Sequence, residues 1–201
     1  MARLIIASKN AHKVEEIEAA LKKAKINLEV LSLADLPELP DVLEDGQTFL
    51  ENATKKAEAI AAVYPDDYVL ADDSGLVIPA LNGEPGVYSA RYAGDHDDVA
   101  NNKKVLEKMA GLQAIDREAF FTTVMVVAGK NRPNLEAAGR VDGFITEDWN
   151  GNETFGYDPI FYYAPAEMTF AEMTMDEKNA VSHRGRALKE MIAKLPTWLA
   201  K

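Results

Sequence analysis

Val69-Leu-Ala-Asp-Asp-Ser-Gly-Leu-Val-Ile78 is the stretch from which the fold is read. An apolar run leads into two adjacent carboxylates, a hydroxyl and a glycine, and then the apolar pattern resumes. An unpaired charge in the middle of a buried strand is costly. The stretch therefore predicts a strand that breaks at Gly75, where glycine permits backbone conformations that other residues avoid. Two readings of Asp72 and Asp73 stand side by side. They are polar residues of a turn, or a rigid strand end delivers their oxygens to a site, for which Mg2+ is the natural guest.

On the N-terminal side, Tyr64-Pro-Asp-Asp67 marks the turn into this strand. Before it, Thr48 and Glu51 have capping-box spacing. Ala53, Ala57 and Ile60 continue one face of a helix to about Val63. Glu51 is either a cap or, like Glu44, a candidate to complete a metal site with Asp73. Leu33 to Asp45 is rich in acid and proline and reads as a surface loop. Asn27 to Ser32 reads as a strand. At the start, Arg3 to Ser8 is an apolar strand, followed by Lys9-Asn10-Ala11-His12-Lys13 and a helical spacing of Val14, Ile17 and Leu21 to about Lys25. A helix N-terminus offers free N–H groups to an anion, and Lys9 and Lys13 add charge. The glycine-rich phosphate motifs are absent, so a capped helix with solvated lysines is the competing reading.

On the C-terminal side, Ala80 to Gly94 carries Gly, Pro, an Arg and two Tyr, and reads as an ordered loop. Asp97 to Met109 is a helix with Gly111 placed to cap it. Ala119-Phe-Phe-Thr-Thr-Val-Met-Val-Val-Ala128 is β-branched, aromatic and almost wholly apolar, as expected of a central strand. Leu135 to Thr146 returns antiparallel to it. In Gly151 to Tyr163, Phe155, Tyr157 and Asp158 surround Gly156; an aromatic there stacks on a base or enters the core. Near the end, Lys178, His183, Arg184 and Arg186 gather positive charge in an acidic chain, the composition of an anion clamp. Ala187, Leu188, Met191, Ile192 and Leu195 form a closing amphipathic helix.

The chain has 201 residues and a net charge of −11, which disfavours bulk nucleic-acid binding. It has no Cys, hence no disulfide framework and no thiolate chemistry. No apolar run approaches the roughly 18 residues of a membrane span, and the first residues turn polar too soon for a signal peptide. A cytoplasmic protein is expected. Neither repeats nor a shift in composition divide the chain, so a single domain over residues 1–201 is expected.

Six stretches together resemble a known family. They are Ser8-Lys-Asn-Ala-His-Lys13, Glu44-Asp-Gly-Gln-Thr-Phe-Leu-Glu-Asn-Ala53, Ala71-Asp-Asp-Ser-Gly-Leu76, Pro85-Gly-Val-Tyr-Ser-Ala-Arg91, Phe155-Gly-Tyr-Asp-Pro-Ile-Phe161 and Glu177-Lys-Asn-Ala-Val-Ser-His-Arg184. In order and spacing they are similar to the house-cleaning nucleoside triphosphate pyrophosphatases that act on inosine and xanthosine triphosphates. The resemblance implies an α/β fold with a long mixed central sheet, flanking helices and two lobes around a substrate cleft, usually in a homodimer. It implies Mg2+-dependent hydrolysis of noncanonical purine triphosphates (ITP, dITP, XTP) to monophosphate and pyrophosphate. It makes Asp73 the catalytic carboxylate and a metal ligand with Glu44. Ser8, Lys9, Asn10, Ala11, His12 and Lys13 contact the triphosphate. Ser74 lies at the substrate, as does Lys178. Phe155, Gly156, Tyr157 and Asp158, with His183 and Arg184, shape the base pocket. The chain departs from the family where Ser8-Lys9-Asn10 replaces the usual Thr-Gly-Asn, and where Glu153-Thr154 replace a pair of glycines.

A carboxylate bound directly to Mg2+ is a weak proton acceptor. Asp73 is therefore expected to anchor metal or its water, with Asp72 or Glu51 sharing the orientation of water. A donor from His183, Arg184 or the backbone near Tyr157 suits a 6-oxo purine. Rejection of GTP needs a feature that opposes the 2-amino group, which the sequence does not reveal. A nucleotide sensor without catalysis and a phosphatase that releases orthophosphate are the rival classes.

Overall fold

The structure, a computed structural model, describes residues 2–37, 39, 42–94, 97–151 and 155–200, with the side chain of His12 also outside the described set. In chain order the elements are β1 (Arg3–Ile6), α1 (Ala11–Lys23), β2 (Glu29–Ser32), α2 (Phe49–Val63), β3 (Tyr68–Val77), α3 (Asp98–Lys108), β4 (Glu118–Ala128), β5 (Leu135–Ile145), β6 (Phe161–Tyr163), β7 (Met168–Thr169), α4 (Met175–Val181) and α5 (His183–Leu199). The strands form one seven-stranded sheet in the order β2-β1-β3-β4-β5-β6-β7. β1 pairs in parallel with β2 and β3, while β6 pairs antiparallel with β5 and β7. This is the mixed α/β sheet expected, with β4 at its centre.

The chain clusters into two compact units, each assembled from separated segments. The first holds Met1–Asp73, Thr123–Gly139 and Arg186–Lys201, and the second holds Ser74–Thr122 and Arg140–Gly185. In the first unit the sheet is covered on both faces. Ile17 and Leu21 of α1 and Leu188, Met191 and Leu195 of α5 pack with Leu4, Ile6, Leu70, Met125 and Val127. Ala53, Ala57 and Ile60 of α2 pack with Ile5, Val69, Ala71, Val126 and Ala128. Double coverage is why β1 is apolar without alternation. The small alanines on α2 let the helix lie close to the strands. In the second unit Leu76, Val105, Met109, Phe121, Val141, Tyr157, Ile160, Phe161 and Phe170 form the core. β5, of which residues 135–139 belong to the first unit and 140–145 to the second, alternates between buried and more exposed residues, as a strand covered on one face should. β4 records the change within one strand: its burial alternates from Glu118 to Met125 and is unbroken from Met125 to Ala128.

Two expectations are corrected. β3 does not break at Gly75; it runs unbroken from Tyr68 to Val77. The strand tolerates its carboxylates because each is paired, as shown below, so the cost of an isolated buried charge does not arise. Nor is the acidic loop after β2 wholly on the surface. A capping box between Ser32 and Asp35 starts a short 3-10 turn. Leu33, Leu36 and Leu39 then pack against the α2 side of the core; Glu38, Pro40 and Asp41 lie outside the described residues.

Candidate active site

In the first unit the turn after β1 is built from its own side chains. The Asn10 N–H donates to Ser8 Oγ at 3.1 Å, and Asn10 Oδ1 accepts from the Lys13 N–H at 3.2 Å, which makes Asn10 the N-cap of α1. Lys9, Asn10 and Ala11 are exposed, while Lys13 is partly buried. The expected triphosphate contacts thus lie in one turn at a helix N-terminus, with His12 represented by its backbone alone. Lys13 is already engaged. Its Nζ donates to both oxygens of Asp72, at 2.8 and 2.9 Å.

β3 explains how two neighbouring carboxylates take different partners. Successive side chains point to opposite faces of a sheet. Asp72 continues the face of Leu70, toward α1, and meets Lys13. Asp73 continues the face of Val69 and Ala71, toward α2, and its Oδ2 accepts from Asn52 Nδ2 at 2.9 Å. Asn52 is 1% exposed, and its Oδ1 accepts from the Gly46 N–H at 2.8 Å. One amide thus ties Asp73 to the loop that carries Glu44. Gly46 has to be glycine there, because a Cβ would stand 2.6 Å from Asn52 Oδ1. Glu44 itself forms an ion pair with Lys56. Glu51 is a cap: its Oε2 accepts from the N–H groups of Gln47 at 2.6 Å and Thr48 at 3.2 Å, and Thr48 Oγ1 returns the bond to the Glu51 N–H. Glu51 thus makes the bonds of the capping reading.

Among the described residues no three His, Cys, Asp or Glu side chains gather as a ready-made metal cage. Mg2+ does not ask for one. It commonly takes one or two carboxylates and completes its shell with substrate phosphates and water. Asp73 and Glu44 are hard oxygen donors of that kind, so the donor chemistry fits.

In the second unit the stretch around Gly156 is pinned residue by residue. Tyr157 is 4% exposed, and its hydroxyl donates to the Ser89 carbonyl at 2.7 Å. Burial first, then the nearby Tyr92 and Asp98, raises its phenol well above the ordinary range. Asp158 is buried and forms an ion pair with Lys178 of α4. Lys178 Nζ also lies 5.1 Å from the centre of the Phe155 ring. Phe155 is 53% exposed, so of the two aromatics expected at the base it is the one that presents a face. Ser74 is partly buried at the second unit's end of β3. His183 begins α5 and is buried; its ring stacks on Phe121 with centroids 4.7 Å apart. Arg184 beside it is partly buried. Lys178 serves Asp158, His183 stands against the core, and Arg186 is exposed and belongs to the first unit.

Four site residues escaped the sequence reading: Asn52, Lys56, Asp98 and Asn102. Asp98 Oδ2 and Asn102 Nδ2 both bond the Gly156 backbone. A signal was available for the asparagines. Asparagine is a poor helix former whose amide competes for backbone groups, so Asn52, Asn101 and Asn102 inside helices ask for a tertiary reason.

The Ham1 family model matches residues 4–194. The dITP/XTP pyrophosphatase of Leuconostoc mesenteroides is 56% identical over 197 residues, covering 98% of this chain and 98% of that one. The solved Ham1 protein of Coxiella burnetii superposes with a TM-score of 0.89 at 37% identity, covering 98% of this chain and 100% of that one. The Ham1 protein of Staphylococcus aureus gives 0.88 at 38% identity, over 97% of this chain and 98% of that one. Matched over nearly its whole length in sequence and in fold, the chain belongs to the Ham1 family.

Proposed function

We propose that the chain acts as one functional domain over residues 1–201, hydrolysing noncanonical purine nucleoside triphosphates (dITP, ITP and XTP) to the monophosphate and pyrophosphate with Mg2+. The observation that carries the reading is the division of labour at Asp72 and Asp73. One carboxylate holds a lysine beside an anion-ready helix terminus, and the other is oriented by a buried amide tied to the Glu44 loop. A hydrolase of phosphoanhydrides needs that combination, and curated relatives carry the name dITP/XTP pyrophosphatase.

In this reading the α1 turn, with Ser8, Lys9, Asn10, Ala11, His12 and Lys13, receives the phosphates through N–H groups and lysine charge. Asp73 and Glu44 would hold Mg2+, which would supply neutralisation of phosphate charge and a more acidic water. Asp73, fixed by Asn52, orients the water toward the α-phosphorus. The water oxygen bonds to that phosphorus as its proton passes to bulk water, the bond from phosphorus to the bridging oxygen breaks, and pyrophosphate leaves with that oxygen. Lys9 and Lys13 of that turn stabilise the charge on the departing group, and Lys178 contacts substrate. Ser74 lies beside the substrate. Phe155 stacks on the base, and Gly156, Tyr157, Asp158, His183 and Arg184 frame it. Arginine and histidine donors suit a 6-oxo purine and disfavour adenine, whose 6-amino group is itself a donor. The enzyme is cytoplasmic and homodimeric.

Product analysis tests the reading. With Mg2+, dITP and XTP yield pyrophosphate while ATP and GTP yield little, and chelation stops the reaction. Orthophosphate as first product would move the cut to a terminal phosphate, and equal turnover of GTP and XTP would remove the selectivity. Asp73→Asn should abolish turnover and leave the circular dichroism spectrum unchanged; retention of wild-type turnover would overturn its assignment.

A further inference from the structure

We infer that Asp98 and Asn102 of α3 are positioning residues for base selectivity, because together they hold both polar groups of the Gly156 backbone. The inference rests on the base-framing role proposed above for the loop of Phe155, Tyr157 and Asp158. The Gly156 N–H donates to Asp98 Oδ2 at 2.8 Å, and the Gly156 carbonyl accepts from Asn102 Nδ2 at 2.6 Å. Positions 98 and 102 are one helical turn apart and share a face of α3. A rigid helix thus grips one residue of a loop from two points.

The grip is placed where the loop has most freedom. Gly156 has φ +56, the left-handed region, and among the described residues no atom beyond its chain neighbours lies within 4 Å of where a Cβ would stand. Its glycine answers a conformational demand and not a shortage of space. On one side the Tyr157 hydroxyl is fixed to Ser89, and on the other Phe155 is exposed. The orientation of the Gly156 peptide therefore sets where the Phe155 ring faces.

Asn102 shows what is being conserved energetically at this point. It is fully buried. Its Nδ2 also donates to the Asp98 carbonyl at 2.6 Å, while its Oδ1 meets no partner among the described residues. The reverse amide orientation would set an oxygen against two carbonyl oxygens, so the assignment follows from the acceptors. A buried acceptor left unmatched is unfavourable, and an apolar side chain of similar size would avoid that cost. The two donors are what the position supplies, and one of them goes to Gly156.

The test compares Asp98→Ala, Asp98→Asn and Asn102→Leu in steady-state kinetics with XTP, dITP and GTP, alongside amide exchange at Gly156 by NMR. Asp98→Ala and Asp98→Asn lose the same charge from the first turn of α3, but only the asparagine keeps an acceptor. Asp98→Ala and Asn102→Leu should raise KM for XTP and dITP about tenfold, leave kcat within about twofold and narrow the preference for XTP over GTP. Asp98→Asn should remain within about threefold of wild type. Exchange of the Gly156 N–H should quicken at least about tenfold in Asp98→Ala and stay slow in Asp98→Asn. A folded Asp98→Ala with unchanged KM and selectivity overturns the inference, as does a loss confined to kcat, which a merely structural role would give. Should Asn102→Leu not fold, the two Asp98 variants decide. If the wild-type protein turns over neither XTP nor dITP, the functional reading fails by itself. Exchange then decides the grip alone: acceleration in Asp98→Ala supports it, and equal exchange in all variants overturns it.

Discussion

Asp72 and Asp73 differ by one position and by nearly everything else. The two-residue period of a strand sends one to α1 and the other to α2. Lys13 and Asp72 are both largely buried, with side chains 18% and 5% exposed, so each depends on the other. Lys13→Met should destabilise the protein by about 2–4 kcal/mol, because it strands a buried carboxylate. The double variant Lys13→Met, Asp72→Leu should recover most of the loss; denaturant titration measures both. Their partners sit 59 and 21 positions away in the sequence. That is why the motif suggested a broken strand: the charges were visible, while the groups that bond them were not adjacent to be read. Tyr157 has a consequence of the opposite sign. Burial raises its phenol, so its contribution to stability is complete below the ordinary phenol value near ~10. It is lost as pH rises through the higher folded value. In an ultraviolet titration Tyr157 should ionise later than exposed tyrosines, and Tyr157→Phe should remove that late step.

Helix starts were legible because their chemistry is local. Thr48 and Glu51 form the full capping box that their spacing announced, and Thr174 and Glu177 form another at α4. Thr48→Ala should cost about 1 kcal/mol, read as a shift in the denaturation midpoint. The bond from the Thr174 hydroxyl, then that from its N–H, lowers the Glu177 carboxyl. A lowered folded value stabilises above the unfolded carboxyl value near ~4.3, and that stabilisation is lost as pH falls through the folded value. The Thr174 amide shift should therefore move at lower pH than that of an exposed glutamate's neighbour. Strand length was harder to read than helix starts. The central position of β4 followed from its apolar run, but its passage from single to double coverage did not, because that depends on where α2 and α5 lie. Asn52 and Asn102 were present in quoted or helical stretches and unassigned, since an amide's role is set by the backbone it meets.

At the scale of the whole molecule, each of the two compact units is assembled from separated segments of the chain. The first unit takes Ala187, Leu188, Met191, Leu195 and Trp198 from its last segment, beyond residue 185. Trp198 Nε1 donates to the Pro133 carbonyl at 2.7 Å, and its ring meets Tyr68 edge-on. Deletion of 186–201 should leave that unit without one wall of its core; loss of cooperative unfolding by calorimetry would register it. Each unit also contains one of the two tryptophans, Trp149 or Trp198, so Trp149→Phe and Trp198→Phe variants allow each to be followed separately by fluorescence. The interleaving of segments also bears on how the chain is made. A ribosome delivers residues in order, and β1, α1 and α2 leave it long before α5 exists. Until the last helix clears the exit tunnel, Leu4, Ile6 and Leu70 wait on a sheet face that α1 covers only in part. The nascent chain is therefore most in need of a chaperone in the interval between the synthesis of β3 and that of α5.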